Sequence, residues 1–307
     1  MDGMPDPATI TFRTATEADG PTMFDIFTAA VADLGRRTGT VGDATAGEPD
    51  AWAIRRPLFD HLAATGDGGW IAELDGSPIG YARSIVRDGV RELTEFFVLP
   101  RHQRTGIGRA LLERSFPGDD VRHRAIIATT DPPAIGRYLG TGLLARLAIA
   151  GFEAAPTAVT VPTDLVAEPI DPAAPPFGEL ATIDRAVLDL HRDVDHAWFA
   201  RERAGWLYRR DGRAVAYGYH PRRPGWGGPY AALDPDDLPV VLAGAETAAA
   251  EAGHPLVTFD VPLIGRAALD HLRARRFRID PFLLLYFSDG PIDGLDRYVL
   301  TSPPFFL

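Results

Sequence analysis

Between residues 103 and 108 the chain reads Gln103-Arg104-Thr105-Gly106-Ile107-Gly108, with Arg109 directly after it. The stretch from Glu92 to Leu99 ahead of it has the pattern of a strand and stops at Pro100. The stretch behind it, Arg109 to Arg114, has the pattern of a helix. A turn from strand into helix leaves the first helical N–H groups without partners, and the helix dipole adds positive potential there. Such a place binds an anion. Glycines at 106 and 108 carry no Cβ, so a diphosphate can approach the main chain. Arg101 and Arg104 flank the turn and can pair with phosphate oxygens. A P-loop needs a lysine, and all 31 basic residues here are arginine. A dinucleotide fingerprint needs a third glycine at another spacing, which is missing.

Other groupings carry less chemistry. Asp193-Val194-Asp195-His196, close after His191, has metal-ligand residue types, but no second cluster matches it. It reads as a solvated helix end, and no metal is expected. The chain has no cysteine, which excludes thiolate zinc sites and disulfide scaffolds. Acidic side chains outnumber basic ones, 42 to 31, for a net charge of −11. That balance argues against a phosphate-backbone binder, so no nucleic-acid partner is expected. No apolar run reaches the ~20 residues of a membrane span. The first nine residues lack the basic and apolar regions of a signal peptide. The expectation is a cytoplasmic protein that does not engage membranes.

The elements that must position the loop follow from pattern. A strand at 10–13 leads to a helix opened by Thr16 and ended near Gly35 and Gly39. A Gly-, Thr- and Asp-rich loop over 38–50 precedes a helix at 51–64. Strands at 70–74 and 79–86 flank Asp75-Gly76, a strong hairpin signal. The central strand at 92–99 and the helix at 105–116 come next, then a strand at 125–128, a helix at 131–139 and a strand at 143–152. Residues 153–176 are rich in Pro and Ala and mark a linker that includes the first strand of a second half. The second half repeats the order. It has a helix at 177–191, a hairpin around Asp211-Gly212, a strand at 230–233 and a helix at 238–252. A strand at 257–261, a helix at 266–275 and a strand at 279–287 complete it.

The halves also agree in spacing. Ala128-Thr129-Thr130 leads to Asp131, Ala134, Tyr138 and Gly142-Leu143. Phe259-Asp260-Val261 leads to Gly265, after which Ala268, Leu272 and Arg276-Phe277 follow at the intervals that separate Ala134, Tyr138 and Gly142-Leu143 from Asp131. Two copies of one fold are expected rather than one large domain. The length of 307 residues suits two domains.

The run from Glu92 to Leu112, with its Gln-x-x-Gly-x-Gly loop, resembles the acyl-CoA signature of the GNAT superfamily of N-acetyltransferases. The later run Asp131-Pro-Pro-Ala-Ile-Gly-Arg-Tyr138, followed by Gly142-Leu143, resembles that family's later helix and its tyrosine. Asp131 replaces the usual Asn, and Leu143 the usual Phe. The resemblance implies an α+β fold in three layers, with two domains each built as a mostly antiparallel sheet flanked by helices. The expected domains are an acetyl-CoA-binding one at 8–152, the linker at 153–176, and a degenerate one at 177–307. In the degenerate half the loop position reads Ala232-Leu-Asp-Pro-Asp-Asp237, whose acids would repel a diphosphate, and Leu272 stands in the place of Tyr138.

The resemblance further implies acetyl-CoA as co-substrate. Its pantetheine arm would pair with the main chain of Phe97, Val98 and Leu99, as an added strand does. Its diphosphate would lie on Arg101, Gln103, Arg104, Thr105, Gly106, Ile107, Gly108 and Arg109. An N–H near Val98 would polarise the thioester carbonyl. An alkylamine is protonated at neutral pH and must lose a proton before it attacks. Glu92 is the first candidate base, on a face shared with Thr94, Phe96 and Val98. Glu95, expected on the opposite face, is the second, and a plain rim role is an alternative for each. Tyr138 is the candidate acid for the departing thiolate. The acceptor is a small amine or a peptide or protein amine. Residues 35–50 and the cleft between the halves are the expected selectors of it, and the protein is a monomer or a homodimer. The alternative function is a non-catalytic acyl-CoA-binding or regulatory module.

Overall fold

The computed structural model describes residues 9–39, 50–291 and 293–304. Residues 40–49, most of the segment expected to select the acceptor, lie outside the described residues. The chain divides into two compact units, residues 1–124 and 125–307.

The first unit holds strands β1 (Ile10–Thr14), β2 (Gly69–Leu74), β3 (Ser77–Arg87) and β4 (Val90–Val98). They pair antiparallel in that order. Helices α1 (Gly20–Thr38), α2 (Ala51–Thr65) and α3 (Ile107–Ser115) belong to the same unit. The β2–β3 turn is the Asp75-Gly76 hairpin that the sequence signals, with both residues at positive φ. Alternation along β3 sends Tyr81, Arg83, Ile85 and Arg87 to one face and Ala82 and Ser84 to the other. Arg83 donates to Phe59 O of α2 at 3.0 Å, and Arg87 donates to Thr65 O of α2 at 3.0 Å. The Ser84 hydroxyl donates to Ser115 O of α3 at 2.6 Å. One sheet face thus meets α1 and α2, the other α3.

The second unit contains β5 (His123–Thr129, whose first two residues belong to the first unit), α4 (Pro132–Gly140), β6 (Leu144–Ala154) and β7 (Val166–Pro169). Then come α5 (Phe177–Leu188), α6 (Asp193–Glu202), β8 (Ala204–Arg210), β9 (Arg213–His220) and β10 (Tyr230–Ala232). The chain ends with α7 (Leu238–Glu251), β11 (Val257–Pro262), α8 (Arg266–Ala274), β12 (Arg278–Ser288) and β13 (Tyr298–Val299). One sheet runs β13-β10-β9-β8-β7; in the other, β12 lies between β5 and β6, and β11 follows β6. This intercalation explains why the compact division falls at Arg124 and not within 153–176: the last long strand belongs with β5 and β6. Phe152, Phe259, Leu242, Ala245, Leu272 and Phe277 lie in one buried core cluster.

The helix expected over 177–191 ends three residues early, at Leu188, and a further helix follows it. Asp189 takes a left-handed φ of 52 and ends α5, and α6 starts at Asp193. The expected solvated helix end at 193–196 is corrected as well, since Asp195 and His196 are buried. His196 bonds Asp184 and the Tyr219 hydroxyl, both at 2.9 Å, and Arg192 donates to the same Asp184 at 2.6 Å. Burial alone would push the Asp184 carboxyl up, but Arg192 and His196 hold it below the usual range. Among the described residues no group of three or more His, Cys, Asp or Glu is arranged to hold a metal ion, and no helix is long and apolar enough to cross a membrane.

Candidate active site

β4 ends at Val98 and the chain turns through Pro100–His102 into the glycine loop. His102 N–H returns to Leu99 O at 2.8 Å, and the Gln103 side-chain amide donates to Val98 O at 3.1 Å. The Thr105 hydroxyl donates to His102 O at 2.8 Å. The turn is thus tied to itself and to the strand end. Arg104 has φ 66 and Gly106 has φ 92. The second value suits glycine, and a Cβ there would meet nothing within 4 Å. No side chain caps the start of α3, and its first bond runs from Ala110 N–H to Gly106 O, 3.2 Å. The N–H groups of Ile107, Gly108 and Arg109 precede that bond and have no helical partner. Arg101, Gln103, Arg104, Thr105, Gly106 and Arg109 are exposed, while Ile107 and Gly108 are buried. Arg109 is paired with Glu113 at 2.7 Å, one turn on. Arg101 leans on His102 at 2.9 Å.

Leu99 N–H goes to Ile79 O of β3 at 2.9 Å. N–H groups alternate in direction along a strand, so that of Val98 points away from β3. Phe97 packs on Phe27 and Tyr81, with ring centroids 5.1 and 5.7 Å apart.

The expected split of Glu92 and Glu95 between two faces is corrected by the register. Arg83 lies opposite Glu95, but Ser84 lies opposite Leu93 and Ile85 opposite Glu92. Thr94 is therefore an extra residue, a β-bulge, and its hydroxyl donates to Arg83 O at 3.1 Å. Directly opposed residues share a face. Glu92, beside Ile85, and Glu95, beside Arg83, consequently share the α1–α2 face, and the alternation expected from Glu92 through Thr94 to Val98 is broken. Both carboxylates are buried. Arg83 Nε donates to Glu95 at 2.7 Å, a second guanidinium nitrogen reaches the same oxygen, and the Tyr81 hydroxyl donates to the other oxygen at 3.3 Å. Burial, then the Glu95 charge, raises the Tyr81 hydroxyl well above its usual range, so it stays protonated and donates. Sequence reasoning missed Arg83. Its signal was an arginine at an inward position among Ile79, Tyr81 and Ile85.

In the second unit Tyr138 is buried on α4. Burial pushes its hydroxyl up to about 12, with Arg137 pulling down and Asp131 pushing up. It holds its proton at neutral pH. Its ring lies 5.6 Å from that of Phe287 on β12.

The counterpart of the glycine loop in this unit is filled. Asp234 accepts the Asp236 N–H at 3.0 Å. Asp237 is held by two nitrogens of Arg210, at 2.7 and 3.0 Å. A side chain already takes a main-chain donor there, and the added charge is negative.

Residues 36–152 match the acetyltransferase (GNAT) family. No curated protein sequence matches the chain. Among solved structures, a proposed acetyltransferase from Pyrococcus horikoshii is similar over 97% of both chains, at 17% identity and a TM-score of 0.69. A GCN5-related N-acetyltransferase from Sphaerobacter thermophilus is similar over 96% of this chain and 100% of its own, at 15% identity and 0.62. A tandem GNAT protein from the clavulanic acid biosynthesis pathway is similar over 93% of this chain and 100% of its own, at 14% identity and 0.59.

Proposed function

We propose that this chain, whose residues 36–152 belong to the acetyltransferase (GNAT) family, moves an acetyl group from acetyl-CoA to a primary amine by direct attack in a ternary complex. The observation that carries the reading is the uncapped start of α3, where the N–H groups of Ile107, Gly108 and Arg109 follow a glycine at φ 92. Diphosphate is the chemistry that such donors fit, with Arg101 and Arg104 beside them. The main chain of Phe97, Val98 and Leu99 would take the pantetheine arm, and the Val98 N–H would donate to the thioester carbonyl.

In this reading Glu92 takes the proton of the acceptor ammonium, directly or through water. The free amine attacks the carbonyl carbon, the C–N bond forms and the C–S bond breaks. The departing thiolate takes a proton from Tyr138, which stays protonated at neutral pH, and the second proton, shed by the attacking nitrogen as the amide forms, restores the phenol through solvent. Glu95 stays outside the chemistry because Arg83 and Tyr81 occupy its oxygens. The second copy does not bind the co-substrate, since Asp234 occupies its helix start.

The test is CoA release from acetyl-CoA across a panel of small amines and peptide N-termini, with acetyl-CoA binding followed by calorimetry. Turnover with at least one amine, and none without amine, is expected. Tight binding without turnover on any amine would replace the enzyme by a sensor. No binding would remove the reading altogether.

A further inference from the structure

β12 joins the strand before α4 to the strand after it. Its residues Leu284 to Ser288 lie opposite Thr129 to Ala125 of β5. Its other edge follows β6, where Tyr286 lies opposite Leu147 but Phe287 lies opposite Ala145. Arg146 is thus an extra residue, and its Nε donates to Ser288 O at 3.1 Å, which pins the irregularity. The irregularity falls beside Phe287. That fully buried ring packs on Tyr138 at 5.6 Å and 60°. Tyr138 also sits at the end of α4, where its carbonyl accepts both the N–H and the hydroxyl of Thr141, at 3.1 and 2.7 Å. The main chain of Tyr138 is therefore fixed locally, and its ring is packed by a residue from the far end of the chain.

We infer that Phe287 is a positioning residue for Tyr138, and that the second half of the chain serves the reaction by lending strand β12 to the strand–helix–strand segment that carries this tyrosine. The inference rests on the reading of Tyr138 as proton donor. A phenol has two side-chain torsions, so the packing of its ring sets where the hydroxyl points. A proton transfer tolerates little misplacement, since an error of about 1 Å can cost roughly 100-fold in rate. The degenerate half needs no ligand of its own for this role.

The experiment is a double-mutant cycle in the full chain, using Phe287→Leu to keep the site apolar and filled. Kinetics, acetyl-CoA affinity and Tm are measured for Phe287→Leu, Tyr138→Phe and the double variant. Phe287→Leu should lower kcat about 10- to 100-fold with acetyl-CoA affinity within about twofold of the parent. In the Tyr138→Phe background it should lower kcat no further. Equal loss in both backgrounds, or an unchanged kcat in Phe287→Leu, overturns the positioning role and leaves Tyr138 as the donor. A parental kcat in Tyr138→Phe removes the donor reading itself, and the role of Phe287 falls with it.

Discussion

Glu92 and Glu95 lie on one face of the sheet because Thr94 is inserted between them as a bulge. The oxygens of Glu95 are taken by Arg83 and Tyr81, and Glu92 is the proposed base. Glu92→Gln should therefore lower kcat/KM by about 100-fold, the usual scale of a lost general base. Acceptor amines of lower pKa, already deprotonated at the assay pH, should recover much of that loss. Glu95→Gln should act through stability instead, because it leaves the Arg83 charge buried without its partner. A cost of about 3–5 kcal/mol is expected in denaturant unfolding. A Glu92→Gln enzyme that ignores amine pKa would exclude the base role.

Gly106 tests the loop in two steps. A Cβ at this position meets nothing within 4 Å, so Gly106→Ala adds no clash and costs only the strain of holding φ 92. That strain is about 1–2 kcal/mol, and acetyl-CoA affinity should weaken by no more than about 30-fold. Gly106→Asp adds a carboxylate beside the diphosphate and should abolish binding in calorimetry. If both variants bind alike, charge at this turn is irrelevant and the diphosphate lies elsewhere.

The two halves make opposite predictions for stoichiometry. Asp234 already accepts a main-chain N–H at the second helix start, and Arg210 is engaged by Asp237. Titration of the intact chain should give one acetyl-CoA per protein, and Gly106→Asp should take that to zero. A parental stoichiometry of two would show that the second loop opens to ligand.

What the sequence reveals is what local physics dictates. The Asp75-Gly76 and Asp211-Gly212 turns, the strand into the glycine loop and the helix after it all follow from neighbouring residues. The bulge at Thr94 has no such signature, because an extra residue changes every side-chain direction beyond it without changing the apolar pattern that announces the strand. Helix α6 is hidden for another reason, since its buried side includes Asp195 and His196, residue types that read as solvent-facing. The pairing of β12 with both β5 and β6 is a long-range choice, and strand–helix–strand spacing alone fits a self-contained second domain equally well. The buried set of Asp184, Arg192 and His196 reads as a polar surface until Tyr217 and Tyr219 of β9 are seen to cover it.

Asp260 gives a pH-dependent test of stability that is independent of the reaction. It lies on β11 opposite Gly151 of β6, and a Cβ on that glycine would meet both Asp280 and Asp260. The Ser302 hydroxyl donates to its carboxylate, and Leu300 N–H donates to its carbonyl at 3.0 Å. Burial pushes its carboxyl up to about 6; the Ser302 bond opposes this, and the charge of Asp280 adds to it. A group whose pKa is higher folded than unfolded binds its proton more tightly when folded. The stability it contributes is complete below the ordinary carboxyl range and is lost as pH rises from about 4 to about 6. Asp260→Asn keeps an acceptor for Ser302 and removes the charge. It should stabilise the chain by about 2–3 kcal/mol at pH 7.5 and by almost nothing at pH 4. Thermal unfolding at the two pH values decides the matter, because an equal change at both would mean that packing, not ionisation, separates aspartate from asparagine there.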